Sequence, residues 1–92
     1  MKELEQKAIR ELIDVYNIYI LTGINKKLTD KAKFVYNEYI PANTLLGEKV
    51  MEAVGKLFPI AYPNVGSGLK PLLKKEARNI IKKLINVKNK II

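Results

Sequence analysis

Cysteine and histidine, two side chains much used in catalysis and metal binding, do not occur in this chain. Without thiolate or imidazole there is no thiol nucleophile, no His-based triad, no ordinary tetrahedral zinc site and no disulfide. What remains is nine carboxylates, five tyrosines and seventeen basic side chains. Glu48 and Glu52 stand four residues apart, a spacing that places two carboxylates on one helix face and would suit acid/base work or half a metal site. Lys49 and Lys56 stand beside them, so the pattern reads instead as solvated charge. Gly66-Ser67-Gly68 has neither the second half of a phosphate-binding loop nor a strand before it, and reads as a turn. Tyr16, Tyr19, Tyr36, Tyr39 and Tyr62 fall mostly on helical apolar stripes, which suits the rim of a core better than a platform for stacked bases. The chain is expected to be a binding protein, not an enzyme, and to need no cofactor.

The basic side chains are the informative group, because they are unevenly placed. Residues 1–68 carry nine basic and eight acidic side chains, whereas residues 69–92 carry eight basic side chains against Glu76 alone. Of the formal charge of +8, +7 therefore belongs to the last 24 residues. On a helical wheel Leu69, Leu73, Ala77, Ile80, Leu84, Val87 and Ile91 make a stripe roughly 80° wide that should face a core. Beside it Lys70, Lys74, Lys75, Arg78 and Lys82 make a basic sector about 140° wide, with Ile81 and Ile85 inside it. These seven residues, Lys70, Lys74, Lys75, Arg78, Ile81, Lys82 and Ile85, are the candidate partner-binding surface. Cations with embedded isoleucines suit a membrane interface or a partly apolar partner. The plainer alternative is a solvated face, with both isoleucines covered by the first helix across a wide apolar stripe.

The elements that must carry this face are all helical. Leu4, Ala8, Ile9, Leu12, Val15, Tyr16, Tyr19 and Ile20 recur at helical intervals and predict a helix over 2–21, ended near Thr22-Gly23. Leu28, Ala32, Val35, Tyr36 and Tyr39 predict a second over 27–40, stopped by Pro41. A third, over 45–62, is capped by Asn43 or Thr44 and is kinked or cut short by Pro59, which crowds the Gly55 carbonyl. The fourth, over 69–87, starts near Ser67 or Gly68 and takes Pro71 in its first turn. Four amphipathic helices, short loops and no period-two alternation predict an all-α, antiparallel four-helix bundle, a single domain over 1–92 and a monomer. There is no apolar run of signal-peptide or membrane-spanning kind, and the absence of cysteine suits a reducing compartment; the expected location is the cytoplasm.

Leu57-Phe58-Pro59-Ile60-Ala61-Tyr62, following Val50-Met51-Glu52-Ala53-Val54, resembles a stretch in the third helix of bacteriocin immunity proteins of the enterocin A and lactococcin A type. That stretch runs leucine, any residue, proline, aliphatic, alanine, then aliphatic or aromatic. Leu12-Ile13-Asp14-Val15-Tyr16 and Lys31-Ala32-Lys33 are similar to the family's first and second helices. The resemblance implies a cytosolic antiparallel four-helix bundle that protects a bacteriocin producer from its own pore-forming peptide. It also implies a partner, the membrane-embedded sugar-transporter receptor with bacteriocin bound, met at the inner membrane face through the C-terminal half. An anionic membrane surface is a further possible partner. The alternative function is a small basic nucleic-acid-binding protein whose last helix meets phosphates. Against it, the face is Lys-rich, no Asn or Gln is expected outward in position to read bases, and the preceding turn is long for a helix-turn-helix. A helical subunit of a larger complex is also compatible with the sequence.

Overall fold

A computed structural model describes residues 2–63 and 72–91, with the side chains of Lys2 and Ile91 left aside. The chain order is α1 (Lys2–Thr22), α2 (Lys26–Tyr39), a 3₁₀ turn (Ile40–Ala42), α3 (Glu48–Gly55), α4 (Phe58–Ala61) and α5 (Lys74–Ile91). No strand occurs among the described residues, so the all-α expectation holds.

Each helix boundary has a chemical cause. α1 ends where Gly23 turns to φ 70, a left-handed conformation open to glycine, and its N–H donates to the Tyr19 carbonyl at 2.8 Å. Two residues later the Asn25 side chain accepts from the Leu28 N–H at 2.9 Å, capping the start of α2. Pro41, which has no N–H, sits in the 3₁₀ turn that closes α2.

The third predicted helix begins later than expected. Asn43 and Thr44 lie in a turn, closed by Leu45 N–H donating to the Ala42 carbonyl at 2.9 Å, and neither caps a helix. The N-cap is Gly47, and besides Glu48 in the first turn a second carboxylate comes from α1: Glu5 Oε2 accepts the Gly47 N–H at 2.9 Å. Gly47 suits this close approach, since a Cβ there would lie 3.3 Å from the Glu5 carboxylate. A negative charge at a helix start is favoured by the helix dipole. The expected disruption at Pro59 does occur. α3 stops at Gly55, whose carbonyl Pro59 could not have bonded, and Pro59 instead sits in the first turn of α4.

The last helix begins at Lys74, not near residue 67 to 69, and continues to Ile91, beyond the expected 87. Pro71, Leu69 and the turn around Gly66-Ser67-Gly68 lie outside the described residues. Leu73 precedes the first helical residue, so it does not take the core position that an extended wheel assigns it: it is 62% exposed, and Leu72 is buried instead. Tyr19 fixes this entry by donating its hydroxyl to the Leu72 carbonyl.

One apolar cluster draws on all five helices. Ile9, Leu12, Val15 and Tyr16 of α1 meet Leu28, Val35 and Tyr39 of α2, Val50 and Val54 of α3, Ile60 of α4, and Ala77, Ile80 and Leu84 of α5. Burying a large side chain of this kind contributes about 1.5–3 kcal/mol. α1 packs most extensively on α5, and α2 on α4. Charge pairs tie α1 to α2: Lys7 to Glu38 at 3.3 Å, and Lys31 to Asp14. Among the described residues no charged side chain is fully buried, and no helix is long and apolar enough to cross a membrane.

Candidate functional site

The candidate site is the side of α5 turned away from the core. Ala77, Ile80 and Leu84 are buried and Val87 is half-buried, which fixes the inner stripe where the wheel places it. On the outer side Lys74, Lys75, Arg78 and Lys82 are all exposed, as expected. Lys70, the fifth cation proposed for this surface, lies outside the described residues.

The two isoleucines divide between the alternatives. Ile81 is partly buried and packs against the core, because it borders the inner stripe on the wheel. Ile85 lies about 40° further round and is 43% exposed, so it belongs to the outer face. A wide apolar stripe, the alternative that would have accounted for both, accounts for Ile81 only.

Three features of the face escaped the sequence reading. Asn79, Asn86 and Asn89 are exposed among the cations. Their spacing of seven and three residues was the available signal. Lys83 and Lys90 are exposed and extend the positive surface around the helix. Leu73 stands exposed immediately before Lys74.

Electrostatically the face is unneutralised. Among the described residues there are three salt bridges, Lys7–Glu38, Lys31–Asp14 and Lys56–Glu52, and none involves a cation of α5. Lys88 and Lys90 in the last turn suit the helix dipole, but Lys74 and Lys75 at the first turn oppose it, with Glu76 as the only acid nearby in the helix.

Elsewhere the polar groups are structural. Glu52 pairs with Lys56 at 3.4 Å on an exposed helix face, and Glu48 is exposed, in keeping with solvated charge. No group of three or more acidic side chains placed to hold a metal ion occurs among the described residues. Tyr16 is fully buried, and burial pushes its phenol well above the usual range while the hydroxyl donates to the Ala53 carbonyl at 2.6 Å. Tyr19 is pushed up by burial and then by the charge of Glu76. Tyr39 is 1% exposed; burial, then the nearby carboxylates of Glu11 and Glu38, hold it protonated. Its hydroxyl and Glu11 Oε2 nonetheless lack a hydrogen bond of normal geometry among the described residues.

The stretch that carries the family resemblance is also packing. Leu57, Ile60 and Ala61 are buried, while Phe58 and Tyr62 meet the Tyr36 ring of α2 tilted and edge-on at 5.7 and 6.1 Å and each other at 5.2 Å. Lys33 stands over the Tyr62 ring at 5.4 Å. This stretch therefore secures α4 to α2 and contributes no residue to the α5 face. No protein-family model, curated protein or solved structure gives a significant match to the chain.

Proposed function

We propose that this protein is a binding protein that works through the outer face of α5. On the resemblance of Leu57–Tyr62 and its neighbours, we further propose that it is a bacteriocin immunity protein. In this reading it lies in the cytoplasm as a monomer and meets the receptor–bacteriocin assembly at the inner membrane face, without catalysis. The observation that carries the binding surface is the set of exposed cations Lys74, Lys75, Arg78 and Lys82, in no salt bridge among the described residues, around the exposed Ile85. The packing suits an antiparallel four-helix arrangement, with α3 and α4 together as the third member. Tyr19 meets Leu72 while Glu5 lines one groove with Val87 and Lys90, so α1 and α5 run in opposite directions. Lys7–Glu38 and Asp14–Lys31 give α1 and α2 opposite directions as well.

The deciding experiment is expression of the chain in a bacteriocin-sensitive lactic acid bacterium. Resistance to one or a few related peptides is expected, with little binding of purified protein to the free peptide. Protection against no member of a broad panel would remove the immunity reading.

The exposed Asn79, Asn86 and Asn89 favour a second reading, in which the same face meets nucleic acid. Binding to mixed-sequence duplex or single strand at ~50 mM salt, weakening steeply as salt rises, would support it. No binding at that salt would eliminate it.

A further inference from the structure

The outer side of α5 combines groups that a merely solvating face has no reason to combine. Lys74 and Lys75 occupy the end of the helix where positive charge is disfavoured, and no salt bridge among the described residues compensates them. Beside them Leu73 is 62% exposed, and Ile85 lies about 16 Å along the helix from Lys74, 43% exposed between the Lys74 and Arg78 positions on the wheel. Six of the seven cations from 74 to 90 are lysine. An ammonium is a flexible point charge with no demand for a fixed partner geometry, and its aliphatic stem can lie on an apolar surface.

We infer that α5 lies flat on an anionic lipid surface, its ammonium and guanidinium groups at the headgroup phosphates and Leu73 and Ile85 at the boundary with the acyl chains. Charge complementarity selects an anionic occupant, and the two apolar side chains select lipid over nucleic acid, whose backbone offers them no apolar counterpart. Asn79, Asn86 and Asn89 remain at headgroup depth, where an amide keeps its hydrogen bonds. This inference rests on α5 being the working face, as in the function proposed above, but it requires neither receptor nor bacteriocin.

The test is co-sedimentation of the full chain with phosphatidylcholine vesicles, with and without about a third phosphatidylglycerol, at ~50 and ~200 mM salt. Binding to the anionic vesicles and not the neutral ones is expected, weaker at the higher salt. Each cation near such a surface strengthens binding about fivefold, so the triple variant K74E/R78E/K82E should lose about 100-fold or more. The double variant L73S/I85S should lose about tenfold while keeping the salt dependence, with circular dichroism confirming that both variants fold. Equal affinity for neutral and anionic vesicles, or none for either, overturns the inference. So does L73S/I85S binding as tightly as the wild type, or a higher affinity for duplex DNA than for anionic vesicles at equal charge concentration. Vesicle binding without cellular protection would count against the immunity reading alone, and protection without vesicle binding against this inference alone.

Discussion

Replacing Tyr16 by phenylalanine removes one oxygen from the centre of the core. The Tyr16 hydroxyl donates to the Ala53 carbonyl at 2.6 Å, and both residues are buried. Within a regular helix that carbonyl would accept the Leu57 N–H, but Leu57 donates to Val54 at 3.1 Å as α3 ends. Tyr16 therefore supplies a donor for a carbonyl that the end of α3 leaves behind. Phenylalanine keeps the ring and its apolar contacts, so the change isolates the hydrogen bond. Leaving a buried acceptor without a partner costs about 1–3 kcal/mol, and we expect Tyr16→Phe to lose about 2 kcal/mol. With a urea slope of about 1 kcal/mol/M for a chain of this size, the unfolding midpoint should fall by about 2 M with the slope unchanged. Tyr39→Phe is the control. Its ring is equally buried, but its hydroxyl, near the Glu11 and Glu38 carboxylates, has no hydrogen bond of normal geometry among the described residues, so its removal should cost less than that of the Tyr16 hydroxyl. Equal losses in the two variants, or none in Tyr16→Phe, would refute the role assigned to the Ala53 bond.

Alkaline unfolding should follow from Tyr16, Tyr19 and Tyr39, whose phenols are all raised above the ordinary 10.0 in the folded chain. The unfolded chain then loses these protons first, so stability is intact below pH 10.0 and falls above it, by at most about 1.4 kcal/mol per pH unit for each phenol. A thermal midpoint followed by circular dichroism that stays constant from pH ~9 to ~11 would contradict this. Gly23→Ala should cost about 1 kcal/mol, because φ 70 is strained for any residue with a Cβ; chemical denaturation reads the loss directly. Asn25→Ala should cost a similar amount, about 1 kcal/mol, through the lost cap on Leu28, and Asn25→Ser should recover most of it.

Periodicity made the cores of α1 and α2 legible, since an apolar residue every three or four positions leaves a helix one way to face inward. Glycine and proline were equally informative at Gly23, Pro41 and Pro59, where the backbone itself sets the boundary. The errors fell where a long-range contact decides. Nothing local to Asn43 and Thr44 reveals that Glu5, 42 residues from Gly47, serves the start of α3. The wheel carried back from α5 put Leu73 inside, because a periodic pattern does not say where the helix begins. Tyr19, reaching 53 residues to the Leu72 carbonyl, is part of what settles it.

The candidate face was readable as a charge imbalance but not as a surface, because a wheel assigns directions and not neighbours. Ile81 and Ile85 differ by one turn, yet one packs on the core and the other stays exposed. The decisive contrast lies between the two halves of the chain. In the first, balanced charges serve the fold: Lys7–Glu38 and Lys31–Asp14 each join α1 to α2 and help set their register. In the second, the cations of α5 join no salt bridge among the described residues, and two of them oppose the helix dipole. Exposed ion pairs contribute only about 0–1 kcal/mol each, so the fold has little to gain from neutralising these cations and little to lose from leaving them free. In the proposed function their clustering beside exposed Leu73 and Ile85 serves a partner outside the chain, so the α5 face, not the motif-like stretch at Leu57–Tyr62, is where mutation should separate binding from folding.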